Sequence, residues 1–102
     1  MVRHIVCWNY KDGFTDEQNR KNALKVKSEL ENLKNRIEGI IELQVLVDIL
    51  STSNKDIVLN SLFENEQSLA NYQAHPEHKR VGDFVGKVLQ NRVCIDFFEK
   101  YK

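Results

Sequence analysis

The residue types best suited to chemistry lie together in Tyr72-Gln73-Ala74-His75-Pro76-Glu77-His78. Two of the three histidines, His75 and His78, stand three residues apart there, with the single proline between them. An imidazole exchanges protons near neutral pH, and a phenol is a weak acid that can hydrogen-bond a carbonyl oxygen. Proline has no N–H for a helix interior but suits a helix's first turn, and it pushes the residue before it toward extended backbone. The stretch therefore predicts a helix ending near Ala74, a break at His75 and a new helix from Pro76. Six residues of unbroken helix would rotate Tyr72 and His78 apart by about 600°, only partly onto one face. The break frees them to meet, and they are the candidate acid/base pair.

The elements that must position this pair read clearly from the patterning. Val2 to Tyr10 is a strand with Val2, His4, Val6, Trp8 and Tyr10 on one face and Arg3, Ile5, Cys7 and Asn9 on the other. Lys11-Asp12-Gly13 is a turn. Thr15 and Gln18 form a capping box, and Ala23, Val26, Leu30, Leu33 and Ile37 then stripe a helix from about Asp16 to Arg36. Its charged face is solvated, with one-turn pairs Lys25–Glu29 and Lys27–Glu31. Gly39 closes the helical region. Ile41, Leu43, Val45, Val47 and Ile49 alternate, so Ile40 to Leu50 reads as a strand, followed by a polar hairpin loop over Ser51–Lys55. Asp56 to Phe63 is the third strand, and Asn65 caps a helix starting at Glu66. After the break, Val81, Phe84, Val85 and Val88 stripe the last helix, where Gly82 and Gly86 would allow a close approach of elements. Asn91 to Phe98 is the last strand, and Glu99–Lys102 is a tail without clear structure.

The order β-α-β-β-α-β belongs to the α+β class. It is the ferredoxin-like arrangement, a four-stranded antiparallel sheet with helices on one face, in one domain over residues 1–102. The second face has no cover within the chain. Assigned to it, Val6, Trp8 and members of the Ile41–Ile49 row are too apolar to stay wet, so a homodimer with two sheets face to face is expected.

Composition narrows the function. Lys plus Arg and Asp plus Glu are both 15, so the formal charge is zero, which argues against nonspecific nucleic-acid binding and a polybasic membrane patch. Cys7 and Cys94 lie in apolar runs and read as buried thiols, with no disulfide framework, which fits a reducing cytoplasm. No signal peptide or membrane span is read. A metal triad of His4, His75 and His78 has no Cys or carboxylate motif to complete it, so no metal and no cofactor are expected.

The chain resembles the stress-responsive dimeric α/β-barrel (Dabb) family. The likeness rests on His4-Ile5-Val6, Asp56-Ile57-Val58-Leu59, Phe63-Glu64, the run from Leu69 through Tyr72 to His75-Pro76 and His78, and Val93 with Asp96-Phe97. It implies a barrel-like dimer with a cleft between each sheet and its helices. In a plant member, olivetolic acid cyclase, which folds a linear polyketide into an aromatic acid, residues matching Tyr72 and His78 are the acid/base pair and one matching His4 lies in the pocket. The expected lining here is His4, Val6, Trp8, Ala23, Val26, His75, Val81 and Phe84. Ala23 and Val26 replace aromatic residues of that pocket, and Ile57 replaces a histidine, so the substrate space differs. The resemblance implies a stress-responsive protein that binds a small apolar ligand without an established reaction. The alternative is a cofactor-free acid/base enzyme of polyketide-cyclase type acting on a small carbonyl compound through His78 and Tyr72. An open apolar cavity beside His78 would favour the enzyme.

Overall fold

The first strand, β1 (Val2–Tyr10), buries one residue in two. Val2, His4, Val6 and Trp8 are buried while Arg3, Ile5 and Cys7 are only half-buried. The computed structural model describes residues 1–100, and Tyr101 and Lys102 of the expected tail lie outside the described residues. After β1 come α1 (Asp16–Glu31), a 3-10 turn at Asn32–Asn35, β2 (Ile40–Leu46), β3 (Ile57–Phe63), α2 (Glu66–Ala74), α3 (Pro76–Val88) and β4 (Leu89–Phe98). The four strands form one antiparallel sheet in the order β2-β3-β1-β4, the ferredoxin-like α+β arrangement with its second helix broken in two. No helix among the described residues is long and apolar enough to cross a membrane.

The helix signals act as read. Thr15 Oγ1 accepts from the Gln18 N–H at 3.1 Å and Gln18 Oε1 accepts from the Thr15 N–H at 2.9 Å, closing the capping box. Ala23, Val26, Leu30, Leu33 and Ile37 are buried against the sheet. The row they meet is Val6, Trp8, Leu43, Val45, Ile57, Leu59 and Phe63. The sequence reading put Val6, Trp8 and members of the Ile41–Ile49 row on the uncovered face; instead Val6, Trp8, Leu43 and Val45 are on the inner face of the protomer, with Val47 packed against them. The helix stripe needs an apolar partner, and the strand phase with the larger side chains supplies it.

Two local features correct the strand reading. A bulge at Ile41 puts Ile40, opposite Phe63, on the inner face in place of Ile41, while Glu42 stays outward. The strand then stops at Leu46 rather than Leu50, because β3 begins only at Ile57 and nothing remains to pair with. Lys27 and Glu31 make more than a surface pair. The Lys27 ammonium donates to the Val45 carbonyl at 2.8 Å and Glu31 Oε2 accepts from the Val45 N–H at 2.9 Å, so the free edge of β2 is closed by α1. The expected Lys25–Glu29 pair gives way to Lys25 lying 4.3 Å over the Phe84 ring and Glu29 pairing with Arg80.

The outer face carries two zones. Arg3 bonds Glu42, Asn60 and Glu99 across all four strands' ends. Beside it, Val93, Ile95 and Phe97 are exposed, with Ile5 and Cys7 next to them.

Gly39 joins α1's end to β2 at φ +88°, and a Cβ there would sit 2.5 Å from Ser68 Oγ and 2.6 Å from Ser68 Cβ. Gly39→Ala meets both the left-handed backbone and α2, and should lower the unfolding free energy by more than about 1 kcal/mol. Gly13→Ala meets only the backbone term, since nothing lies within 4 Å of its Cβ position. Urea denaturation of both variants should show the larger loss at Gly39.

Candidate functional site

The break falls where the proline puts it. His75 is extended (φ −66°, ψ 136°), ends α2 and caps α3. Its N–H donates to the Tyr72 carbonyl at 3.2 Å, and its Nδ1 accepts from the Glu77 N–H at 3.0 Å. This imidazole is therefore occupied as a helix cap. It does not line the cavity, and the triad His4, His75, His78 does not assemble.

Across this junction the rings of Tyr72 and His78 pack with centroids 4.4 Å apart and planes at 55°. Tyr72 is wholly buried, resting on Phe63 at 4.9 Å and nearly perpendicular to His4 at 6.3 Å. The Tyr72 hydroxyl and His78 Nδ1 are both buried without a hydrogen-bond partner. An unmet buried polar atom costs about 1–3 kcal/mol, and folded proteins carry few. Burial raises the Tyr72 pKa above its ordinary value, opposed by the charge of Arg92. Burial lowers the His78 pKa; the Gln73 backbone opposes it without a contact to Nδ1 of hydrogen-bond geometry, and the charges of His4, Arg92 and His75 add to the lowering. At neutral pH the pair is a neutral phenol beside a neutral imidazole.

A cavity of about 260 Å³ opens beside both rings. His4, Val6 and Trp8 of β1 line it, as expected, together with Tyr72 and His78. Ala23, Val26 and Val81 are instead sealed in the core, and Phe84 lies under Lys25; none of the four is in the lining. The phase of α3 decides this. His78, Gly82, Val85, Gly86 and Leu89 follow at helical spacing and share the face that meets the cavity. Gly82 and Gly86 do not bring elements together, as the sequence suggested: nothing lies within 4 Å of either Cβ position, and the missing side chains leave the space open.

Three groups were not visible from spacing alone. Asp96 faces His4 across the β1–β4 ladder, and its Oδ1 lies 2.5 Å from His4 Nδ1. Cys94 Sγ lies 3.7 Å from both atoms. Cys94 is exposed rather than buried, because β4 is an edge strand; partial burial and the Asp96 charge push its thiol pKa up. His4, Cys94 and Asp96 are the types that ligate metals, but a tetrahedral zinc site needs N and O ligands about 3.3 Å apart, and here they close on each other.

Arg92 is the third. Between Cys7 and Asn9 of β1, the partners on β4 run from Val93 to Gln90, so Asn91 and Arg92 both stand opposite Trp8. Asn91 takes the left-handed backbone (φ 56°) that such a bulge uses and asparagine tolerates. The extra residue lets Leu89 stay in the core while Arg92, on the same side, reaches the cavity rim.

A family model described as the Stress responsive A/B Barrel Domain (Dabb) matches residues 2–99. This chain belongs to the Dabb family. No curated protein matches its sequence. A solved structure of a dimeric ferredoxin-like protein of unknown function from Bacteroides fragilis is 27% identical with a TM-score of 0.86, covering 94% of this chain and 93% of its own. A dimeric ferredoxin-like protein of unknown function from Thermobifida fusca is 24% identical with a TM-score of 0.78, over 94% and 88%. The hydroxynitrile lyase of Passiflora edulis is 17% identical with a TM-score of 0.80, over 99% and 94%, which shows a shared fold.

The orphaned pair gives this Dabb protein a signature in pH. Because the folded pKa of His78 is depressed, the unfolded chain takes up that proton first as pH falls below about 6.5, so stability drops there. The ring is part-exposed, so solvent screening should keep the slope well under the ceiling of about 1.4 kcal/mol per pH unit. Because the folded pKa of Tyr72 is raised, the unfolded chain loses that proton first above about pH 10, and stability drops again. Denaturation curves across pH should show both slopes in the wild type. The acid slope should shrink in His78→Gln and the alkaline slope in Tyr72→Phe.

Proposed function

We propose that this Dabb protein binds a small, largely apolar carbonyl compound in the cavity and moves a proton at the carbon beside the carbonyl. The observation that carries the reading is that two unmet polar atoms, Tyr72 Oη and His78 Nδ1, sit on two tilted, touching rings whose residues line one open cavity. Neutral His78 takes the proton from carbon, and the electron pair moves onto the carbonyl oxygen. The Tyr72 O–H donates a hydrogen bond to that oxygen and, with its pKa raised, keeps its proton while doing so. The enolate carbon then attacks an internal carbonyl, as in a polyketide-type cyclisation, and the alkoxide so formed takes the proton back from His78; without that attack the enolate carbon recovers the proton itself. His4, fixed by Asp96, borders Tyr72 and orients the pocket. That one solved chain of this fold is a hydroxynitrile lyase supports the scaffold as a host for a catalyst. A protein that only binds its ligand would use the same cavity, and the test separates the two.

We further propose that the chain pairs with a second copy through Ile5, Val93, Ile95 and Phe97, consistent with the dimeric relatives, and that its two free cysteines suit a reducing, cytoplasmic setting.

The reaction is tested by deuterium exchange at the methyl group of acetophenone, followed by NMR. Wild type should accelerate it, and Tyr72→Phe and His78→Ala should each remove about 10²–10⁴-fold of the acceleration with the fold intact. Gly82→Ala with Gly86→Ala should raise stability through helix propensity, by up to about 1 kcal/mol per site, yet lose binding as methyl groups fill the cavity. Saturable binding without exchange would leave a carrier rather than an enzyme. Sedimentation at low micromolar concentration should give twice the chain mass, and Ile95→Asp should give the monomer; a wild-type monomer would remove the paired-sheet arrangement.

A further inference from the structure

The cavity described above has one fully charged group at its rim. Arg92 is exposed and pairs with no carboxylate among the described residues. Asp96, two positions along the same strand face, is held by His4. Glu99, further on, is held by Arg3. Arg92 lines the cavity together with Tyr72 and His78, and its charge acts on both of them and on Cys94 beside it. Its placement rests on the bulge, with a non-glycine residue in the left-handed region. Of the other rim amides, Gln90 Nε2 donates one N–H to the Tyr10 carbonyl and Asn91 Nδ2 one to Asn9 Oδ1, and both are uncharged.

We propose that the ligand is a small oxo acid whose carboxylate pairs with Arg92 at the rim while its carbonyl lies between Tyr72 and His78. A guanidinium presents a planar fork that matches a carboxylate in two parallel hydrogen bonds. With Arg92 the only Lys or Arg among the described residues of the cavity lining, the rim suits a monoanion better than a phosphate dianion. Orientation follows from solvation. The wall is Val6, Leu30, Leu59 and Val85, where a carboxylate would be costly to bury, so the charge stays at the mouth and the carbonyl goes in. Size follows from volume: at about 30 Å³ per water-sized group, the cavity holds on the order of nine such groups, the scale of a benzoyl or short alkanoyl body. This deepens the carbonyl reading and rests on it.

The test is calorimetric titration of 4-oxo-4-phenylbutanoate against its primary amide, with acetophenone as the uncharged control. The acid should bind wild type at least tenfold more tightly than the amide. Arg92→Gln, a change at an exposed position, should bring acid and amide to equal affinity, and 0.5 M salt should erode the wild-type preference. Tyr72→Phe should weaken both ligands alike. Acetophenone binding without an acid preference would overturn the carboxylate assignment and leave the carbonyl pocket standing. A preference that survives Arg92→Gln would overturn it too, as would a phosphonate analogue that binds more tightly than the carboxylate. No binding of any of the ligands would remove both readings.

Discussion

The site depends on the missing N–H of Pro76. An ordinary residue there would let α2 run on, and the helix would carry Tyr72 and His78 around its axis to different faces. Proline forces His75 extended, and His75 then serves both helices at once, donating its N–H to the Tyr72 carbonyl and accepting the Glu77 N–H at Nδ1. Two short helices result, joined by three local bonds once Lys79 N–H reaches the His75 carbonyl. The tilted contact of Tyr72 with His78 is the product of that geometry, and the inner row of β1 closes the space beneath it.

The sequence carried this junction in full, because proline, an N-cap and helical periodicity are local signals. Asn65 and Thr15 cap where their types suggest, and β1, β3 and the first helix lie where their periods put them. The cavity lining was harder to read for a physical reason. Ala23, Val26, Val81 and Phe84 are apolar and sit at plausible spacings, but which apolar stripe seals the core and which faces a void depends on helix rotation, set by contacts distant in sequence. A usable signal was present in Gly82 and Gly86, four and eight residues past His78, where small residues on one stripe make room. Asp96 and Arg92 depended on the β1–β4 register, which no local pattern encodes.

The two sheet edges are treated in opposite ways. β2 has its outer backbone occupied at Val45, whose N–H and carbonyl are both taken by Glu31 and Lys27 of α1. β4 carries exposed side chains along most of its length and supplies both Arg92 at the cavity and Val93, Ile95 and Phe97 on the outer face. Inner and outer residues alternate on this strand, so the pocket and the apolar outer face are two sides of one ribbon. A change that tilts β4 alters both.

The bulge at Asn91 gives β4 two reading frames. Upstream of it, the frame is set by Leu89, anchored in the core; downstream, it is set by the pairing of Cys94 with Val6 and Asp96 with His4. Straightening the strand there without removing a residue would force a choice. Either Leu89 swings out of the core, or Arg92, Cys94 and Asp96 all turn to the outer face and the hydrophobic row turns inward. The same residues along β4 can thus give a charged pocket rim or an uncharged one, according to whether the strand keeps its bulge.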